Sequence, residues 1–218
     1  MLDCTTDRYD TLYARWLVKP GTLLDLAEWE PGMKLLDLCG GTGIVAREAL
    51  QRGSKPGTVT LFDLNPRCPD TRVRQVKGNA EELGSVLGDA SETYDVVVCR
   101  QAIAYIDLEQ GHRMLHDIHR LLKPGGRFVF NTFVQPRWGA WTYMFGGQRF
   151  VEASAYIGRH VWHVQILLAR GGGWDMTHFY WHHRVRLAAL LARHFDLFMH
   201  RSGASLRWVC TKPREKPV

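Results

Sequence analysis

The sequence predicts an α/β protein built on a single doubly wound sheet, mostly parallel, with an antiparallel hairpin strand at its C-terminal end. Three observations predict it. Apolar runs alternate with helical patterns from residue 31 to 134, the signature of β-α units and right-handed crossovers. The run Leu35-Leu36-Asp37-Leu38 leads through Cys39-Gly40-Gly41-Thr42-Gly43 directly into the helical pattern Ile44–Gln51. The last two apolar runs are joined by the short link Arg201–Ala204, as an antiparallel pair requires.

The elements follow in order. Residues 1–30 read as an N-terminal helical cap. The first strand is Leu35–Leu38, and the helix Ile44–Gln51 ends near Gly53. Thr58–Asp63 is the second strand and Val73–Val76 a short third. Between them lie only Leu64 to Arg72, with Pro66 and Pro69, which disfavour a long helix. Glu81–Leu87 reads as one or two helical turns. Tyr94–Cys99 is β-branched and apolar throughout, as in a strand buried on both faces. Glu109–Leu122 places Met114, Leu115, Ile118, Leu121 and Leu122 on one helical face, and Lys123-Pro124-Gly125-Gly126 stops it. Arg127–Val134 is a fifth strand. From Gln135 to Trp181 no clean period is visible. Regularity returns with the helix Val185–His194, a strand near Asp196–His200 and a strand Ser205–Thr211. The expected organisation is one domain over 1–218: cap 1–30, ligand-binding core 31–134, lid insertion 135–183, and C-terminal helix and strand pair 184–218.

Composition narrows the class. In 218 residues, hydrophobic content is 45% and charged content 23%, ordinary values for a globular chain. No apolar run is long enough to span a membrane, and residues 1–10 lack the apolar core of a signal peptide. The 5 cysteines have no regular spacing, which argues for a reducing compartment, the cytoplasm. The net charge is +6, but the basic residues are scattered, so nucleic acid is not the expected partner. Oligomeric state is not legible.

In an open α/β sheet the ligand lies beyond the carboxyl ends of the strands. Asp37 and Gly40 to Gly43 occupy the first such end, Asp63 the second, Asn79-Ala80 the third, and Cys99-Arg100-Gln101 the fourth. A strand, glycine turn and helix point free N–H groups at whatever lies above. Taken together, Leu-Asp-Leu-Cys-Gly-Gly-Thr-Gly, Phe-Asp-Leu-Asn, Gly-Asn-Ala-Glu-Glu-Leu, Tyr-Asp-Val-Val-Val-Cys-Arg-Gln-Ala and Leu-Leu-Lys-Pro-Gly-Gly-Arg-Phe resemble the ordered motifs of class I S-adenosylmethionine (SAM)-dependent methyltransferases. The resemblance is to the small-molecule, ubiquinone/menaquinone methyltransferase-like group. It covers Tyr9 to Val134 well and the last two strands loosely.

The resemblance implies a Rossmann-like seven-stranded methyltransferase fold, SAM as cofactor, and methylation of O, N or C on a small molecule, quinone-like or a secondary metabolite. It implies that Asp37 and the turn Gly40, Gly41 and Gly43 hold the methionine part. Asp63 would bind the ribose hydroxyls, Leu64 would pack on adenine, and Asn79 and Ala80 would meet the adenine edge. Cys99 and Arg100 would line the methionine side, and the segment of Tyr9, Asp10 and Tyr13 would close over the cofactor. The short crossover after Asp63 departs from the family, which usually has a helix there. Two other readings stay open. Gly41-Thr42-Gly43-Ile44-Val45-Ala46 also fits G-x-G-x-x-A with Asp63 downstream, as an NAD(P)-dependent oxidoreductase would have. A non-catalytic SAM-binding scaffold would share every motif.

Candidate acid-base groups are Tyr105, just beyond the fourth strand, and His163 and His178, with His160 and His182, in the segment over the substrate. The aromatics of that segment, Trp138, Trp141 and Trp162 among them, suit the wall of an apolar pocket. Arg137, Arg149 or Arg159 could hold an acidic group. His112, His116 and His119 fall on one helix face, opposite its apolar stripe, and read as solvated surface; no metal site is expected.

Overall fold

The computed structural model describes residues 18–214 except 89–90, 109–111, 134–138, 146–147, 158–159, 169–173, 181 and 203–204; over 133–179 only the backbone is described. The main sheet contains β1 (Leu35–Leu38), β2 (Val59–Asp63), β3 (Arg74–Lys77), β4 (Tyr94–Cys99), β5 (Leu122–Phe133), β10 (Asp196–Ser202) and β11 (Ser205–Thr211). Their order is β10-β11-β5-β4-β1-β2-β3. Strands β1 to β5 pair parallel, while β11 runs antiparallel to both β5 and β10. Strand order therefore reverses between β1 and β4, which opens a crevice at their carboxyl ends. A seven-stranded sheet of this mixed kind is what the sequence predicted.

The central strands carry apolar residues at successive positions because both faces are covered. Leu35, Leu61, Val96, Val98 and Val129 pack with Leu23 and Leu24 of α1 (Pro20–Leu26) and with Val45, Ala46 and Ala49 of α2 (Ile44–Gln51). The alternate residues Leu36, Leu38, Val97, Phe128 and Phe130 pack against α4 (His112–Leu121) and α5 (Arg184–Leu191). Beside α4 lies the short helix α3 (Leu83–Leu87), which the Asp117 carboxylate ties to α4 by accepting the Gly84 N–H at 3.0 Å. The antiparallel strand β11 is locked in by Trp208. Its ring stacks on Phe130 at 6.0 Å, and its Nε1–H donates to Thr132 Oγ1 at 3.0 Å. That bond lets a buried indole keep a polar partner.

Two expectations need correction. The segment Gln135 to Trp181 has no clean period, yet it holds an antiparallel meander of β6 (Gly139–Phe145), β7 (Gln148–Ile157), β8 (His160–Leu168) and β9 (Trp174–Tyr180). Apolar residues at adjacent positions, as in Val161-Trp162 and Ile166-Leu167-Leu168, hide the period of two. The turn Lys123–Gly126 does not separate helix from strand. β5 starts at Leu122 opposite Tyr94 and passes through it as an irregularity before Arg127 pairs with Val96.

Where α4 meets the residues that follow α5, His119 lies 5.9 Å from His194, and both contact Phe195. Burial first, then the positive charge of neighbours, holds both imidazoles below the usual histidine value; Lys212 and His116 act on His119, and His116, Arg193 and His112 on His194. A depressed folded-state value means the unfolded chain takes up protons first. Stability is then complete above the ordinary pKa of about 6.5 and falls as pH drops through it. The thermal midpoint is expected to drop between pH 7.5 and 5.5, and His119→Gln or His194→Asn to flatten that slope. A slope unchanged in both variants would show that the cluster does not set it.

Candidate functional site

The crevice is framed by the end of β1. The Asp37 carboxylate is fully buried and accepts the Ala46 N–H at 3.0 Å, so a strand side chain caps the third residue of α2. The turn between them has no room for side chains at two positions. A Cβ on Gly40 would overlap the Asp37 carboxylate and the Leu61 side chain. Gly43 adopts φ 70°, and a Cβ there would stand 2.8 Å from Cys68 Sγ. The turn closes by Gly43 N–H donating to Gly40 O at 2.8 Å.

The end of β2 is tied to the same turn. Asp63 Oδ2 accepts the Gly41 N–H at 3.0 Å, and its Oδ1 accepts the Asn65 N–H at 2.8 Å. Each carboxylate oxygen keeps a lone pair for a further donor. Leu64, next in the chain, stands 65% exposed. The crossover from β2 to β3 contains no helix, as Pro66 and Pro69 foretold, and it folds onto the turn. Arg67 N–H donates to Gly41 O at 2.9 Å, and Cys68 covers Gly43.

Beyond β3, Asn79 uses its side chain to cap a 3-10 turn (Ala80–Glu82), accepting the Glu81 N–H at 3.1 Å, while Ala80 is buried. At the end of β4, Cys99 is fully buried. The adjoining Cys39 thiol and burial push the Cys99 thiol well above its ordinary range. Arg100 reaches the other way, its Nε donating to Val18 O at 2.8 Å and fastening the chain ahead of α1.

Strands β1, β2 and β4 thus bring Asp37, Gly40, Gly41, Gly43, Asp63, Leu64, Cys99 and Arg100 to one crevice, with Asn79 and Ala80 at the next strand end. Tyr13 lies outside the described residues. Tyr105 stands 38% exposed on the turn Ile103–Tyr105 that follows β4. His163 pairs with Thr177, and His178 with Trp162, so the two histidines occupy neighbouring strands without facing each other in register; their side chains lie outside the described residues, as do those of Arg137, Arg149 and Arg159. His182 is buried, with Nε2 3.1 Å from Ile103 O, and pins the start of α5 to the turn after β4. No group of three or more metal-ligating side chains occurs among the described residues. Sequence reading missed the role of Asn131 on β5, whose Oδ1 accepts the Gln101 N–H at 3.0 Å. The signal was an amide ending the apolar run Phe128-Val129-Phe130.

Comparison with known proteins agrees with this geometry. A family model described as a methyltransferase domain matches residues 12–208. The chain is 34% identical over 121 residues to a ubiquinone/menaquinone biosynthesis C-methyltransferase, UbiE, of Ruegeria sp. (strain TM1040), covering 52% of this chain and 47% of that one. The chain thus matches about half the length of the curated relatives. Among solved structures, it is similar to a SAM-bound amino pentose methyltransferase from Micromonospora echinaspora, with a TM-score of 0.71, 19% identity, and coverage of 95% of this chain and 97% of that one. It is also similar to the CcbJ methyltransferase from Streptomyces caelestis, with a TM-score of 0.72, 17% identity, and coverage of 96% and 98%.

The packing around Gly40 makes a definite demand. Gly40→Ala is expected to lower unfolding stability by about 1–3 kcal/mol, the usual cost of forcing a methyl into a filled site. Urea titration checks this; wild-type stability in the variant would mean that the turn is looser than its contacts indicate.

Proposed function

The chain belongs to the methyltransferase domain family, and from that premise we propose that it transfers a methyl group from SAM to an O, N or C atom of a small molecule. The observation that carries the proposal is the Asp63 carboxylate. It is bonded through Gly41 to the glycine turn, and it keeps one lone pair on each oxygen at the crevice between β1 and β4. Two such acceptors on one planar group suit the paired hydroxyls of a ribose.

The remaining residues fit the cofactor. Gly40 and Gly43 hold the floor of the turn open, since a side chain at either would strike its neighbours. Leu64 offers exposed apolar surface to a base, and Asn79 and Ala80 stand at the neighbouring strand end. The β1 turn with Asp37, and the backbone of Cys99 and Arg100, are assigned to the methionine part. Tyr13 is assigned to the segment that covers it.

Bound SAM supplies a sulfonium methyl already activated for in-line displacement. The protein's own task is alignment and the exclusion of water. Asp37 fixes the turn by holding the Ala46 amide. We assign Tyr105 to hold or accept a proton at the acceptor, and His163 and His178 to the same class of role from the second sheet. We assign acceptor binding to residues 135–183. In support, β9 packs on the turn after β4, and His182 binds the Ile103 carbonyl there. The chain is read as a single domain over 1–218 with the subdivisions 1–30, 31–134, 135–183 and 184–218.

The acceptor class, a quinone-like or secondary metabolite, is suggested by the names of the similar proteins. No helix among the described residues is long and apolar enough to cross a membrane, and Cys39, Cys68, Cys99 and Cys210 are free thiols. Both support a cytoplasmic location.

Calorimetric titration with S-adenosylhomocysteine, SAM and NADH tests the proposal. The first two are expected to bind and NADH not to. Asp63→Ala should weaken S-adenosylhomocysteine binding by about 10- to 100-fold, the cost of lost charge-assisted hydrogen bonds. Tight NADH binding with no response to SAM would overturn the proposal in favour of an NAD(P)-dependent oxidoreductase.

A further inference from the structure

Among the described residues, Gln101 Oε1, Asn131 Nδ2 and Arg207 Nε are buried polar atoms without a hydrogen-bond partner, and all lie toward the carboxyl end of β4 and β5. They belong to side chains that the fold places side by side. Arg207 on β11 is directly opposite Asn131 on β5. Asn131 Oδ1 in turn accepts the backbone N–H of Gln101, two residues beyond β4, at 3.0 Å. Gln101 is 4% exposed and Asn131 2%. Asn131 and Arg207 follow Val129 and Val209 on the alternation, so they share the sheet face packed by α1. Gln101 is held at φ 64°, a conformation that costs energy in any residue but glycine.

Buried polar groups left unpaired are rare, and each calls for a reason. Here they come as two donors and one acceptor, contributed by β5, β11 and the strained residue two beyond β4. The row lies on the far side of β4 from the Asp63 cradle, beside the turn that carries Tyr105.

Resting on the methyltransferase reading above, we propose that Gln101, Asn131 and Arg207 form the acceptor subsite and select a small carboxylic acid with a hydroxyl or amine next to its carboxylate. Asn131 Nδ2 and Arg207 Nε donate to the carboxylate oxygens, and Arg207 supplies the matching charge. Gln101 Oε1 can only accept, so it takes the O–H or N–H of the neighbouring group. That group is the nucleophile, which the contact holds near Tyr105. Its methylation forms one O–C or N–C bond, breaks the sulfonium–methyl bond, and releases one proton.

The test titrates protein saturated with S-adenosylhomocysteine with salicylate, anthranilate and glycolate, each against its own methyl ester. At least one acid is expected to bind about tenfold more tightly than its ester, the worth of a charge-assisted hydrogen bond. Gln101→Met and Arg207→Met should each remove most of that binding. Both should leave S-adenosylhomocysteine affinity unchanged. Neither should lower the thermal midpoint, because a methionine leaves no orphaned polar atom. The proposal is overturned if no acid is preferred to its ester or if the preference survives both substitutions. It is overturned also if S-adenosylhomocysteine affinity falls in step, which would make the row part of the cofactor site. Wild-type protein that does not bind S-adenosylhomocysteine would instead bring down the methyltransferase reading, and this inference with it.

Discussion

The buried Asp37 carboxylate, bonded to the Ala46 amide, joins the end of β1 to the start of α2. That bond fixes the five-residue connection Cys39–Gly43, and the connection determines the rest of the crevice. A helix has four amides at its first turn without internal partners. Here one is taken by a strand side chain that cannot move, since Asp37 sits at zero exposure between β2 and β4. Gly40 follows from the same contact, because the space its side chain would take is filled by the carboxylate.

The crossover after β2 reinforces this arrangement. The chain from Leu64 to Arg72 binds Gly41 through its carbonyl and lays Cys68 on Gly43. Gln75 holds it in position, its amide accepting from Cys68 N–H and donating to Cys68 O, both at 2.9 Å. Nearby, the Arg72 guanidinium bonds Asp70 and holds its carboxyl down to about 2, so the pair stays charged in the solvent. The missing helix is exchanged for a second clamp on the same glycines, which grips them from the β2 side while Asp37 grips them from β1.

The parts of this fold that were legible in the sequence are those where one residue type has one physical use. Strands β1, β4 and β11 and helix α2 have the limits read from their apolar runs and glycine stops. Pro66 and Pro69 foretold the loss of the crossover helix. Features that depend on contacts between distant residues were not legible. The meander β6–β9 has no period to reveal it, and its pairing is set by neighbours along the sheet. Cys99 stands where motif order put it, at the end of β4, with its thiol buried beside Cys39. Nothing local in Gln101 announces that its backbone is left-handed or that Asn131, on the next strand, holds it there.

Of the four described non-glycine residues with positive φ, two, Cys39 and Gln101, flank the crevice. Cys39 leaves β1 at φ 55° and Gln101 follows β4 at φ 64°. These are adjacent parallel strands, and the two residues stand at the same end of the sheet. Each such conformation costs about 1–3 kcal/mol in a residue with a side chain, so neither persists without outside support. Cys39 is supported by its N–H donating to Phe62 O at 2.7 Å, and Gln101 by Asn131. The supports come from opposite directions, β2 and β5, which are the outer neighbours of the strained pair. An open α/β sheet has a crevice at its switch point in any case; here a strained residue stands on each side of it, and the cost is borne by the fold before any ligand arrives.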